Sequence, residues 1–284
     1  MNIKILIPVY NDFESVSKLL VDINSTISNI DKEFSTIIIN DASTDKVNIN
    51  ISKIDKIKSI KIINMKENRG HARCNAAGLK YIYDNEEFDY VIPMDGDGED
   101  RPEEIKKFIE FIEYDNLKPI VGERIKRSEG ILFKSFYSIH KLITFIFTGQ
   151  SIKFGNYTCL PKTTVKKMIN EKATWSSFSG SLAKVEKNRS TIPSIRGSRY
   201  FGPSKMSFFN LIKHSLSIIA VFKMNVIIRS VLFFLIYIFL MSENLNYVTS
   251  IPLIAVLALV ISVLVGNLAL QLILGILRYM YCCR

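Results

Sequence analysis

The chain has 284 residues, is 48% apolar, and carries 37 Lys and Arg against 27 Asp and Glu, for a formal charge of +10. Its length exceeds that of one small domain, and the charge suits an anionic lipid surface or phosphorylated substrates. Nucleic acid is set aside, because no basic helix is interleaved with aromatics. The four cysteines (Cys74, Cys159, Cys282, Cys283) lack metal-ligand spacing and fit a reducing setting without disulfides.

In chain order, Ile3–Val9 is a short apolar run that ends at Tyr10-Asn11-Asp12 and predicts a buried strand. Val16, Leu19, Leu20 and Ile23 then recur at helical spacing. Phe34–Ile39 predicts a second strand, stopping at Asn40-Asp41, and Ile60–Met65 a third. Ala72–Tyr83 predicts a helix, and Tyr90–Met94 a fourth strand running into Asp95. Pro102 opens another helix, PEEIKKFIEFIE, with its acids near the positive end of the helix dipole. Strands alternating with helices predict an α/β, mostly parallel sheet with helices on both faces. Ligands bind beyond the carboxyl ends of such strands, where the three polar clusters above would converge.

The sharpest local pattern is DGDGEDRPEE, Asp95–Glu104. Asp95 and Asp97 stand two residues apart, with Gly96 and Gly98 permitting a tight turn. Closely set oxygen ligands suit a hard divalent cation, Mg²⁺ or Mn²⁺, with phosphate completing its shell. Alone, an acidic Gly-rich turn is ordinarily just solvated; its place after a buried strand gives it weight. His71, His140 and His214 are too far apart to form a ligand pair and are read as ordinary polar residues.

Taken in order, IPVYND (Ile7–Asp12), NDASTD (Asn40–Asp45), ENRGHARCNAAGL (Glu67–Leu79) and the Asp95–Glu99 turn resemble family 2 glycosyltransferases of the GT-A (Rossmann-like) fold. VGERIKR and GPSKMS narrow the likeness to the polyprenyl-phosphate and dolichol-phosphate subgroup. It covers residues 3–105 well and continues more weakly to about 210. The resemblance implies that Pro8, Tyr10 and Asp12 cradle the nucleotide base and ribose, that Asp41 bonds the base, and that Arg73 lies near the donor. It implies catalytic and donor-diphosphate roles for Asp95 and Asp97, metal binding by Asp95, Asp97 and Glu99, and a catalytic, acceptor-facing Arg124. Glu99 stands where the subgroup often has Gln, and Asp12 where the family often has Glu. Arg127, Lys134, Arg199 and Lys205 are the further cations expected around the acceptor phosphate, although a basic surface facing the membrane is the plainer reading of several of them.

The implied chemistry is inverting transfer of a sugar from a nucleotide-sugar, UDP-linked by default, to polyprenyl phosphate. A phosphate acceptor is already ionised and needs cations more than a general base; a sugar hydroxyl would need a carboxylate base. The alternative is therefore transfer to a lipid-linked or surface polysaccharide hydroxyl, with Glu123 or Glu129 as base. A third reading is an inactive nucleotide-binding membrane scaffold.

From Met224 to Cys283 the only charges are Arg229, Glu243 and Arg278. About 20 apolar residues cross a bilayer, so two transmembrane helices are predicted, at about 224–242 and 251–277. Arg229 is expected to snorkel to the headgroups. The expected organisation is a cytosolic GT-A domain at 1–207, an interfacial amphipathic helix at 208–223 and a membrane anchor at 224–284. Ile131–Phe147 suits either a membrane surface or a core helix. The basic flanks predict both termini on the cytoplasmic side of the inner membrane, and the N-terminal apolar run is too short for a signal peptide. Membrane lipids are expected partners, and the likeness suggests a homo-oligomer.

Overall fold

The computed structural model describes residues 1–114, 117–126, 141–202 and 208–265. Seven strands form one sheet: β1 (Asn2–Val9), β2 (Glu33–Asn40), β3 (Ile57–Asn64), β4 (Tyr90–Pro93), β5 (Ile120–Lys126), β6 (Phe154–Pro161) and β7 (Ser190–Ile195). Their spatial order is β3-β2-β1-β4-β6-β5-β7. The pairs β1/β2, β1/β4, β2/β3 and β5/β7 are parallel, whereas β6 runs antiparallel to both β4 and β5. The sheet is thus mixed and mostly parallel, in the GT-A-like arrangement.

Side-chain alternation along β1 explains the layers. Ile3, Ile5 and Ile7 enter one core with Val16, Leu19, Leu20 and Ile23 of α1 (Phe13–Ile27) and Phe108, Ile109 and Ile112 of α3 (Ile105–Tyr114). Leu6 faces the other way, with Ile37 and Ile39 of β2, and packs on Cys74, Leu79 and Ile82 of α2 (His71–Asn85). That second face is completed by α5 (Lys162–Asn170) and α6 (Phe178–Val185), which follow the helical residues 141–148, here α4. Helices on both faces leave the central strands buried, which is why they read as continuous apolar runs. The third strand begins at Ile57, earlier than its apolar run suggested, because its register with β2 starts at Phe34↔Ile57.

The chain divides into two compact units. The first is 1–129 with 153–205; the second is 130–152 with 206–284. In the second, α7 (Phe208–Val221) is followed by α8 (Lys223–Met241), whose 19 residues are long and apolar enough to cross a membrane. The next helix, α9 (Ile251–Val265), is apolar but shorter than a span. The rest of the second predicted crossing, 266–277, lies outside the described residues; among the described residues, α8 is the one helix of sufficient length.

Arg229 of α8 is bonded to the neighbouring helix α4. Its Nη1 donates to Ile146 O at 2.9 Å, at the carboxyl end of α4, and Asn225 Nδ2 donates to Thr148 O at 2.9 Å. Gly149 follows in the left-handed conformation (φ 73°), where a Cβ would stand 2.6 Å from Arg229 Nη2. Two donors, one of them a cation, thus satisfy carbonyls that a helix end leaves open.

Candidate active site

The parallel strands deliver the carboxyl ends of β1, β2, β4, β5 and β7 to one edge, and antiparallel β6 brings its first residues there. At this edge β1 and β2 are each followed, two residues on, by a non-glycine residue with positive φ, Asn11 (49°) and Ala42 (57°). Asn11 Oδ1 accepts from Thr44 N at 2.8 Å, and Asn40 Oδ1 accepts from Ser43 N at 3.0 Å, so side chains of both strand ends hold the Ser43-Thr44 turn. Tyr10 is 44% exposed and presents its ring to solvent, while Pro8 is buried within β1 opposite Ile39.

Asp41 is 3% exposed and both carboxylate oxygens are engaged. They accept from Arg69 N at 2.7 Å and Gly70 N at 2.8 Å. Gly70 has φ 86° and leads into α2, so Asp41 fixes the entry to that helix. One turn on, Arg73 Nη1 donates to Arg69 O at 3.0 Å. Burial first, and then the neighbouring Arg69, hold its pKa below the ordinary value.

The turn after β4 packs closely. A Cβ on Gly96 would meet Val16, Ile7 and the Pro8 carbonyl within 3.0–3.3 Å, and Gly98 has φ 87° with the Tyr200 ring directly over it. Asp95 Oδ1 lies 2.9 Å from His71 Nε2, and Asp95 N donates to Asp100 Oδ2 at 2.9 Å. Asn156, from the start of β6, reaches Asp95 Oδ1 at 3.5 Å. Arg124 of β5 seats its guanidinium over Gly155, where a Cβ would lie 2.8 Å from Nη2.

The residues after β7 form a basic cover. Arg196 pairs with Glu99, and Arg199 pairs with Asp97 and, at 3.1 Å, with Asp12. Backbone bonds fasten the same contact: Gly197 N to Glu99 O at 2.8 Å and Tyr200 N to Asp97 O at 2.9 Å. Tyr200 OH donates to Asp22 Oδ2 at 2.7 Å. Arg199, expected at the acceptor phosphate, therefore joins two carboxylates expected on the donor side.

These charges set the protonation of the site. Burial pushes Asp95 up, but His71, Arg124 and Arg196 outweigh it and hold the carboxyl well below its usual range. Asp97 moves the other way, raised by burial and then by Asp95, against the pull of Arg199. Asp100, 5% exposed, is pushed up to about 7 by burial and by Asp95. Burial lowers His71, and the adjacent Asp95 more than reverses that, so its net shift is upward.

The carboxylate oxygens of Asp95 and Asp97 are the donor type that a hard divalent cation takes, and two such ligands plus phosphate oxygens satisfy its usual shell. The donor chemistry fits. Among the described residues, no group of three His, Cys, Asp or Glu side chains is assembled to hold a metal ion; Glu99 is turned to Arg196 instead. Arg127, Lys134 and Lys205 lie outside the described residues.

Sequence reasoning missed His71, Asn156, Asp100 and Glu104. His71 had one available signal, its position directly after Gly70 at the start of a helix leaving the site edge. Glu104 was read as an ordinary first-turn acid, yet it is buried against β7.

A family model described as "Glycosyl transferase family 2" matches residues 4–177. The undecaprenyl-phosphate 4-deoxy-4-formamido-L-arabinose transferase of Salmonella choleraesuis (strain SC-B67) is 28% identical over 217 residues, 74% of this chain and 64% of that protein. The protein of the same name from Salmonella newport (strain SL254) matches with the same identity and coverage. The chain thus spans a little under two thirds of the length of the curated relatives it matches. Among solved structures, glucosyl-3-phosphoglycerate synthase from Mycobacterium tuberculosis, in complex with Mn²⁺, UDP-glucose and phosphoglyceric acid, superposes with a TM-score of 0.54. That likeness has 12% identity and covers 79% of each chain, which speaks to the fold.

Proposed function

Because this chain belongs to glycosyl transferase family 2, we propose that it moves a sugar from a nucleotide-sugar, by default a UDP-sugar, to a polyprenyl phosphate at the cytoplasmic leaflet. The similarity to an undecaprenyl-phosphate sugar transferase supports the acceptor. The structural observation that carries the reading is the convergence of Arg124, Arg196 and Arg199 on the Asp95–Glu99 turn. Two phosphorylated substrates repel each other, and a site that unites them needs this density of fixed positive charge.

In this reading, an oxygen of the acceptor phosphate bonds to the anomeric carbon as the bond to the nucleoside diphosphate breaks on the opposite side. The acceptor arrives ionised, so no side chain has to take a proton from it. Asp95 and Asp97 would hold a divalent cation, which when bound would supply Lewis-acid neutralisation of the leaving diphosphate. Asp95 stays ionised through its His71 partner, and Arg124, braced over Gly155, faces the acceptor charge. The outward-facing apolar surface of α8 supports a membrane location, in a multi-pass inner-membrane protein with cytoplasmic termini.

The hydroxyl-acceptor alternative gains no support from Glu123, whose carboxylate is paired with Lys153 at 3.1 Å; Glu129 lies outside the described residues. The test is a screen of UDP- and GDP-sugars with undecaprenyl phosphate, with and without Mg²⁺ or Mn²⁺, read by product mass. A lipid-linked sugar that disappears with Asp97→Asn is expected. Absence of lipid product with every donor would overturn the reading, and nucleotide binding without turnover would favour the scaffold.

A further inference from the structure

Glu104 is a carboxylate that burial should disfavour, for it is 2% exposed. It is retained because donors surround it: Ser194 Oγ at 2.7 Å, Ile195 N at 3.0 Å and Lys107 Nζ at 3.3 Å. Two of these belong to the last residues of β7, and the next residue is Arg196. Glu104 itself ends the short helical turn Pro102–Glu104 that follows the carboxylate turn. One buried side chain thus clasps the acidic turn to the strand end that carries the arginines.

The clasp has a consequence for charge. Asp97, Glu99, Arg196 and Arg199 have side chains only 17–24% exposed, so their pairs are shielded from solvent. The arginines neutralise the oxygens that a cation would use.

We propose that Glu104 is a positioning residue: it fixes the end of β7 so that Arg196 and Arg199 balance the charge of Asp97 and Glu99, and a divalent cation must displace these arginines to bind. The first half stands on the clasp alone; the second rests on the cation reading of the proposed function. On this account the cover and the cation exchange places, and the released arginines become available to phosphorylated ligands.

The test uses the full-length enzyme in detergent, with Glu104→Ala, Ser194→Ala and the conservative Glu104→Gln. Hydrogen exchange of 196–200 is compared with that of β1, and Mn²⁺ binding without nucleotide is followed by the resonance of the free ion. Glu104→Ala should speed exchange at 196–200 by about tenfold or more while β1 is unchanged. It should also tighten Mn²⁺ binding by about fivefold, the effect of removing about 1 kcal/mol of competing ion pairs. Ser194→Ala should shift both in the same sense, and Glu104→Gln should restore both. Unchanged exchange at 196–200, or equal acceleration in β1, would overturn the positioning role. Faster exchange with unaltered Mn²⁺ affinity would overturn the competition. If neither wild type nor variant binds Mn²⁺ with or without added UDP, the cation reading itself fails and with it the competition, and exchange alone decides the positioning role.

Discussion

His71 Nε2 stands 2.9 Å from Asp95 Oδ1, joining the first turn of α2 to the turn that follows β4. The carboxylate gains a hydrogen-bonding partner at the point where burial would otherwise favour its neutral form. A hydrogen bond to a charged group contributes about 1.5–3 kcal/mol, so His71→Ala should lower kcat/KM by about 10- to 150-fold. His71→Gln, which keeps a donor, should lose less. Steady-state kinetics with the donor varied would check both.

Gly98→Ala meets two separate obstacles. The backbone sits at φ 87°, and the new Cβ would stand 2.5–2.7 Å from the Tyr200 ring. Together these should cost about 1–3 kcal/mol, at about 2–4 °C of Tm per kcal/mol. In a Tyr200→Ala background the steric part disappears and the backbone part remains, so the Tm loss caused by Gly98→Ala should shrink without vanishing.

Asp100 makes a pH-dependent contribution whose sign follows from its raised pKa, about 7 against an ordinary 3.8. The folded state binds this proton more tightly than the unfolded chain does. Its stabilising contribution is therefore full below about pH 4 and is lost as pH rises toward 7. Asp100→Asn keeps an acceptor for Asp95 N and removes the titration. Relative to the variant, wild type should lose Tm steadily between about pH 4 and 7 and hold a constant difference above that.

Replacing Arg229 by Leu makes α8 more apolar, and a residue that only snorkelled would lose little. The bonds to α4 give the opposite expectation. Arg229→Leu leaves the Ile146 carbonyl without its donor and should lower stability by about 1–2 kcal/mol. Thermal unfolding in detergent, with Arg229→Lys as a partial replacement, would measure it.

Strands buried on both faces were legible in the sequence, and so was most of the edge strand β3, whose run Ile60–Asn64 keeps its apolar character. β1, β2 and β4 are short apolar runs stopped by polar residues, and the same stops mark the site edge. β6 gave no such signal, because FGNYTCLP mixes polar and apolar residues and its direction is set by partners on either side. The Asp95–Asp97 turn was visible because its members are adjacent. Arg196–Glu99 and Arg199–Asp97 pair across 97 and 102 positions, and Ser194–Glu104 across 90, so only the fold brings them together. Glu104 shows the limit most clearly. Its local setting is that of a solvated helix-start acid, and two of its three donors come from the end of β7, far away in sequence.

The antiparallel pairing of β5 with β6 also defines what can be cut away. These neighbours face each other at Glu123↔Phe154, and residues 127–152 are the stretch of sequence that connects them. A chain stopped at Lys205 would keep that stretch while losing α8, leaving uncapped the helix end that Arg229 and Asn225 hold, beside the exposed apolar side chains of Leu142, Phe145 and Ile146. It should aggregate. A chain in which a turn of about two to five residues joins β5 directly to β6, and which also ends at Lys205, should instead express as a soluble α/β unit.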